Sequence, residues 1–315
     1  MSVASDVLAW VVVALFLVGA LVDRYDDDRN RARAVTVGAW VAFALFWAVL
    51  VPHFAFVKKS YVEGALSVAA VPASLYVAWL LYDGRDSLFV LSRAIAVMGV
   101  VYLPFQTIPA FSVAGVSVPA PQHVLISIVT GQTRWAMETL GYHPTVVLGE
   151  QGYRNTFKFV TDGGHVILFS LVLACTGLGS IAIFAGLIAA VDAPLRRKLR
   201  ALAVAVPVIY LLNIARTTFI GLMFGKQYMQ WFVDEVLFLF GGTDPYKVSF
   251  YISDRVISQV LAVLALVCVT YLVVRELPEL LTIIEDVLYI VTREEYDLRA
   301  ALDLPNDGDA GRSAD

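Results

Sequence analysis

A thiol and three charged side chains lie in otherwise apolar stretches of the sequence, where an ionisable group needs a partner or a function. Cys175 lies in LACTGLGS, Arg216 lies in LLNIARTTFIGL, and Asp254 and Arg255 are adjacent in FYISDRVISQ. A thiol beside a fixed cation suits nucleophilic acyl transfer, because a cation stabilises both a thiolate and an oxyanion. The two arginines alone would equally suit a site that binds an anion.

The surroundings of Cys175 favour a reactive thiol. Thr176, two glycines and Ser180 follow closely, which predicts a helix N-terminus where the dipole and free N–H groups favour a thiolate. Cys268, in LALVCVTYL, has no such neighbours and is the internal comparison. A free cysteine is often a buried hydrophobe, so a structural role for Cys175 stays open.

Both arginines have polar neighbours that bear on their roles. Asn213 precedes Arg216 by three residues and so shares its helical face. Arg216 is expected either to pair with a carboxylate or to bind an anion. Asp254 cannot share the face of Arg255, because adjacent helical residues point about 100° apart, but it could pair with a group on another helix.

Histidine offers no metal site in this sequence. His123, His143 and His165 are all expected in the outer region, and no two of them have the i, i+4 spacing of a helical ligand pair. We therefore expect neither a metal nor a cofactor.

The composition shows what must position these residues. Of the 315 residues, 59% are hydrophobic and 16% are charged, against about 25% charged in soluble domains. The apolar residues form long blocks, so we predict an all-α polytopic membrane protein with a small extracytoplasmic hairpin or half-helix cap. The net charge of −4 gives no basic surface for nucleic acid, which is excluded as a partner.

The apolar blocks predict a transmembrane catalytic domain over residues 1–274, with a cap at 111–163. Its seven predicted spans are residues 5–22, 34–56, 62–82, 87–110, 164–191, 201–224 and 251–274. Helical spacing of apolar residues after the last span predicts a cytoplasmic amphipathic helix over 275–302. Residues 303–315 are expected to be a disordered acidic tail.

Arginine-rich connections predict the orientation. Residues 23–33 and 192–200 carry most of the loop arginines and should face the cytoplasm. Seven spans then give an outside N-terminus and a cytoplasmic C-terminus. Lys58 and Lys59 fall on the outside as a minor exception.

The fifth apolar block is too long for one span, because a helix over 164–191 would measure about 42 Å. Phe157, Phe159 and Thr161 alternate before an Asp-Gly-Gly turn, and HVILF follows it, which predicts an external hairpin. The span would then begin near Cys175, in the outer half of the membrane with Arg216 and Arg255. One long tilted helix is the alternative.

Three motifs in order, ACTG, N-x-x-R and an ionisable residue opening the next helix, resemble the exosortase and archaeosortase family of membrane cysteine transpeptidases. The resemblance covers most of the membrane domain and is closest to the archaeosortase branch of halophilic archaea. It implies that Cys175 is the acyl-thioester nucleophile and Arg216 the characteristic arginine. The third position, histidine in most bacterial members, is Arg255 here, which removes the obvious general base.

The resemblance also implies the reaction and the partners. Family members cleave a C-terminal signal on exported surface proteins, such as S-layer glycoprotein, at the outer face. In this branch the signal has a Pro-Gly-Phe motif, a transmembrane helix and a basic tail. A membrane lipid is the expected acceptor of the cleaved protein.

The expected chemistry leaves several roles open. One arginine should lower the pKa of Cys175 and the other should bind the oxyanion, while Asn213 and Thr176 support the site. Asp254, His165 or water could protonate the leaving group. The competing hypotheses are a transporter or receptor that binds an anionic ligand through Arg216 and Arg255, and a purely structural bundle.

Overall fold

A computed structural model describes residues 3–25, 28–57, 61–113, 115–161 and 163–301. The chain is mostly helical and forms two compact units. One unit comprises the described residues up to Leu103, Ala182–Leu202, and the described residues from Val273 onward. The other comprises Pro104–Ile181 and Ala203–Leu272, and it contains all the predicted site residues.

Two sets of regular elements follow in chain order. The helices are α1 (Val3–Tyr25), α2 (Arg29–Pro52), α3 (Tyr61–Asp83), α4 (Leu88–Thr107), α5 (Pro121–Thr139), α6 (Leu178–Ala190), α7 (Leu195–Gly225), α8 (Val233–Phe240), α9 (Val248–Phe250), α10 (Ser258–Glu276), α11 (Leu280–Thr292) and α12 (Leu298–Ala301). The strands are β1 (Phe111–Val113), β2 (Val116–Val118), β3 (Thr145–Leu148), β4 (Arg154–Val160) and β5 (Val166–Ser170).

Within the described part of the chain, six helical segments are long and apolar enough to cross a membrane. They are Ala4–Tyr25, Arg29–Phe56, Gly64–Asp83, Leu88–Thr107, Leu195–Gly225 and Pro245–Glu276. Each overlaps a predicted span, and the predicted class of polytopic helical membrane protein is confirmed.

The predicted fifth span is shorter than expected. Residues 164–191 do not form one tilted helix, because β5 occupies their first part and α6 has only 13 residues. At 1.5 Å per residue α6 measures about 20 Å, less than the roughly 30 Å hydrocarbon core. The external hairpin is confirmed: β4 and β5 pair antiparallel, with Phe157 opposite Phe169 and Val160 opposite Val166.

The first unit is held by an aromatic core and by ion pairs. Phe16 meets Trp40 edge to face with ring centroids 5.3 Å apart, and the Trp40 indole donates a 2.9 Å hydrogen bond to Ser92. The buried Asp286 of α11 accepts a 2.9 Å hydrogen bond from Arg85. The helix predicted over 275–302 therefore corresponds to α11, which is packed within this unit through its apolar face. Residues 303–315 lie outside the described residues.

The second unit contains the predicted cap and more structure than the sequence indicated. β1 and β2 form a short hairpin, and β3, β4 and β5 form an antiparallel sheet in that order. Between them lies α5, whose inner face buries Ile126, Val129 and Met137. The last membrane helix begins with a π-helical segment, Tyr251–Ile257, which carries Asp254 and Arg255.

Candidate active site

Cys175 lies on a single 3-10 turn, Leu173–Thr176, between β5 and α6. The Thr176 hydroxyl donates to the Leu173 carbonyl at 2.7 Å and accepts from the Leu178 N–H at 3.3 Å, so it caps the start of α6. Gly177 has a left-handed φ of 76° and separates the turn from the helix. Cys175 therefore precedes the helix N-terminus at which the sequence placed it, and Thr176 supports the turn.

Helix α7 holds the backbone of the cysteine turn. The Asn213 side-chain amide donates a 2.7 Å hydrogen bond to the main-chain carbonyl of Cys175. The Thr217 hydroxyl lies 3.4 Å from the same carbonyl and 2.8 Å from the carbonyl of Asn213. A Cβ at Gly177 would lie 3.1 Å from the Asn213 Cβ, so this approach favours glycine.

The sheet holds the same segment from the other side. The Asn155 side chain donates to the Leu171 carbonyl at 2.7 Å, and the Leu171 N–H donates to the Asn155 carbonyl at 2.9 Å. Asn155 is buried, as is Leu171. The four residues from Leu171 to Cys175 are therefore fixed at one end by β4 and at the other by α7.

Arg216 and Asp254 form an ion pair between α7 and the π-helical segment. Arg216 Nη2 lies 2.8 Å from Asp254 Oδ1, and the side chains are 34% and 20% exposed. The sequence left open whether Asp254 pairs with another helix, and this contact is the answer. Arg216 Nε is buried with no hydrogen-bond partner among the described residues, so the guanidinium keeps a donor that a bound ligand could use.

The thiol is weakly acidic and senses both charges of this pair. Cys175 lies before the first residue of α6, and burial raises the pKa of its thiol above the ordinary value. A backbone contact with Val172 and the positive charge of Arg216 lower the pKa, whereas the negative charge of Asp254 raises it. Arg216 is thus the cation that acts on the thiol.

Arg255 is placed differently from Arg216. Its side chain is exposed, and among the described residues it makes no recorded hydrogen bond or ion pair. The π-helical segment lets Asp254 face Arg216 while Arg255 points elsewhere. The sequence favoured Arg255 as the cation beside the hairpin, whereas the structure brings Arg216 to Cys175.

The predicted supporting histidine is not joined to the thiol. The His165 ring is exposed and stacks on Tyr246 with centroids 3.8 Å apart. In the described ranges, no group of three or more His, Cys, Asp or Glu residues could hold a metal ion. Cys268 lies exposed on α10, away from any charged partner recorded for the described residues. Thr217 is the supporting residue that the sequence missed, although its i, i+4 spacing from Asn213 is visible there.

Comparison with known proteins defines the class to which this fold and site belong. Residues 3–243 match the transmembrane exosortase family, and the chain belongs to that family. It is 65% identical over 300 residues to archaeosortase A of Haloferax volcanii, covering 95% of this chain and 98% of the relative. It is 44% identical over 294 residues to archaeosortase A of Natronomonas pharaonis, covering 91% and 89%. No solved structure matches the chain.

The resemblance to the archaeosortase branch of halophilic archaea is therefore confirmed. The chain is a multi-pass membrane protein and an enzyme of the cysteine transpeptidase class. Neither the transporter or receptor hypothesis nor the purely structural bundle explains this relationship.

Proposed function

We propose that this transpeptidase uses Cys175 to cleave the C-terminal sorting signal of exported proteins and to transfer them to a membrane lipid. The observation that carries the proposal is the 2.7 Å hydrogen bond from Asn213 to the Cys175 carbonyl. It fixes the thiol-bearing turn on the helix that also carries Arg216. Asn213, Arg216 and Thr217 share one face of α7 by their i, i+3, i+4 spacing.

In the first step, the Cys175 sulfur attacks the scissile carbonyl carbon. A carbon–sulfur bond forms, the carbon–nitrogen bond breaks, and the C-terminal fragment leaves as an amine after gaining a proton. In the second step, a nucleophile on a membrane lipid attacks the thioester and releases the Cys175 thiol. The product is the exported protein joined to the lipid.

Arg216 has two tasks in this scheme. Its charge opposes the effect of burial on Cys175 and favours the thiolate. Its unpartnered Nε is a donor for the oxyanion of the tetrahedral intermediate. Asp254 orients the guanidinium through the 2.8 Å contact, and it is the carboxylate best placed to carry the proton of the leaving amine.

Arg255 is assigned as the second cation of the site. Arginine is effectively always protonated, so it acts as a fixed charge and not as a proton carrier. Its exposed guanidinium makes no ion pair recorded in the described chain, which leaves all its donors for the substrate. We assign it to a substrate carbonyl near the scissile bond, while Arg216 stays with the thiol.

The substrate and the orientation follow from the resemblance and from loop charge. The expected signal has a Pro-Gly-Phe motif, a transmembrane helix and a basic tail, as in surface proteins of the S-layer glycoprotein type. Arginines of 23–33 and 192–200 favour the cytoplasmic side, which places Cys175 and the cap at the outer face. A basic tail on the cytoplasmic side fits the same orientation.

Mass spectrometry of substrate C-termini from cells with and without the gene tests this function. With the gene, the substrate should end near the motif and carry the mass of a lipid. Without it, the intact signal should remain. Substrate that is cleaved and lipid-linked in both strains would contradict the proposal.

A further inference from the structure

A second polar cavity lies in the unit that contains the active site, and the proposed reaction does not use it. It has a volume of about 200 Å³ and lies beside the sheet, at the end of α7. Its polar side chains are Tyr142, His143, Thr145, Lys158 and Lys226. The cavity therefore brings together residues from a loop, two strands and the residue that follows a membrane helix.

The charge of this cavity is of one sign. The chain has only six lysines, and two of them, Lys158 and Lys226, line this one cavity. None of its lining residues is a carboxylate. Among the described residues, neither lysine has a recorded ion pair, so both ammonium groups keep their charge for a ligand. Tyr142, His143 and Thr145 add hydrogen-bonding groups around the same space.

The depth of the cavity indicates where such a ligand would lie. The membrane-spanning helix α7 ends at Gly225, so Lys226 is the first residue beyond it. Tyr142 is linked to the following segment by a 3.3 Å contact between its hydroxyl and that of Tyr228. Lysine and tyrosine at the end of a membrane helix lie at the level of the lipid headgroups.

We propose that this cavity binds a phosphate-bearing group at the membrane boundary. Lysine ammonium groups and hydroxyl donors are the groups that recognise phosphate, and basic cavities beside membrane helices bind phosphorylated headgroups. The phosphate could belong to a lipid headgroup or be free in solution. The proposal does not depend on the role of Cys175.

Binding to the full-length protein in detergent tests the proposal. The probes are dihexanoyl phosphatidic acid, dihexanoylglycerol as its phosphate-free counterpart, and inorganic phosphate, and adducts are counted by native mass spectrometry. The double variant Lys158→Ala/Lys226→Ala should bind phosphatidic acid at least tenfold more weakly. Lys247→Ala is the matched control, because Lys247 is exposed and lies outside the cavity. It should bind like the unmodified protein.

Each outcome has a defined meaning. Lysine-dependent binding of phosphatidic acid without inorganic phosphate supports the site and identifies a lipid as the source. Lysine-dependent binding of inorganic phosphate supports the site and identifies a soluble ion. Equal binding of phosphatidic acid by the double variant and Lys247→Ala, or equal binding of dihexanoylglycerol, overturns the proposal. Processing of the substrate by the double variant reports separately on the function of Cys175.

Discussion

The side-chain amide of Asn213 donates a 2.7 Å hydrogen bond to the main-chain carbonyl of Cys175. One helix therefore holds the backbone of the proposed nucleophile and, three residues later, supplies Arg216. A shift of α7 would move the thiol-bearing turn and the cation together. We expect the reaction rate to depend on this clamp, because small displacements of a nucleophile can cost orders of magnitude in rate.

Two adjacent threonines on α7 provide a matched test of the clamp. Thr217 donates within the clamp, whereas the Thr218 hydroxyl is buried without a partner among the described residues. Thr217→Val should lower the rate of substrate cleavage by about fivefold, since a hydrogen bond contributes about 1 kcal/mol. Thr218→Val should leave the rate unchanged. Equal losses in the two variants would assign the effect to packing of α7 and not to the clamp.

The thiol should respond in opposite directions to the two charges of the ion pair. Burial raises the pKa of Cys175, so alkylation by a neutral reagent should increase with pH through an alkaline midpoint. Arg216→Gln removes the charge that lowers this pKa and should move the midpoint to higher pH. Asp254→Asn removes the charge that raises it and should move the midpoint to lower pH.

These alkylation profiles are measured in a Cys268→Ser background so that one thiol reports. Thermal unfolding of each variant shows that it is folded. If both variants move the midpoint in the same direction, the charges act through a change of fold and not on the thiol.

The exposed Arg255 should behave as a fixed cation. Arg255→Gln should lower cleavage strongly, and Arg255→Lys should keep part of the activity because it keeps the charge. Arg255→His should work best at acidic pH, where the imidazole with its ordinary pKa of about 6.5 is protonated. Activity is measured as cleavage of a signal peptide against pH. Normal activity of Arg255→Gln would remove this residue from the site.

Much of this architecture could be predicted from apolar blocks and from one turn signal. The spans around Arg216 and Arg255 follow from block length, and the alternation of Phe157 and Phe159 before the Asp-Gly turn predicts the hairpin. The pairing of Asp254 with Arg216 was only one of several possibilities, because sequence spacing does not say which helices meet.

Other features depend on tertiary contacts that no local pattern encodes. The sequence placed Cys175 at a helix N-terminus, but the left-handed Gly177 inserts a 3-10 turn before α6. The π-helical segment at Tyr251–Ile257 differs from an α-helix only in its hydrogen bonds, so alternation could not reveal it. Thr217 acts through its hydroxyl and through the position of Asn213, neither of which periodicity reports.

The orientation can be tested by labelling single cysteines in a background without Cys175 and Cys268. Cysteine introduced at Gly242 should react with an impermeant maleimide applied from outside, whereas cysteine at Ala193 should react only after permeabilisation. The physical reason is the arginine-rich connection at 192–200, which favours the cytoplasmic side. External labelling at position 193 but not at position 242 would reverse the orientation.

The most direct measurement of the central claim is mass spectrometry of the enzyme after brief reaction with a signal peptide. We predict an acyl adduct on the peptide that contains Cys175, which hydroxylamine removes because it is a thioester. The adduct should be absent in Cys175→Ser and present in Cys268→Ser, since Cys268 is exposed on α10 without a recorded charged partner in the described chain. Cleavage by Cys175→Ser at the rate of the unmodified enzyme, or an adduct confined to Cys268, would contradict the account.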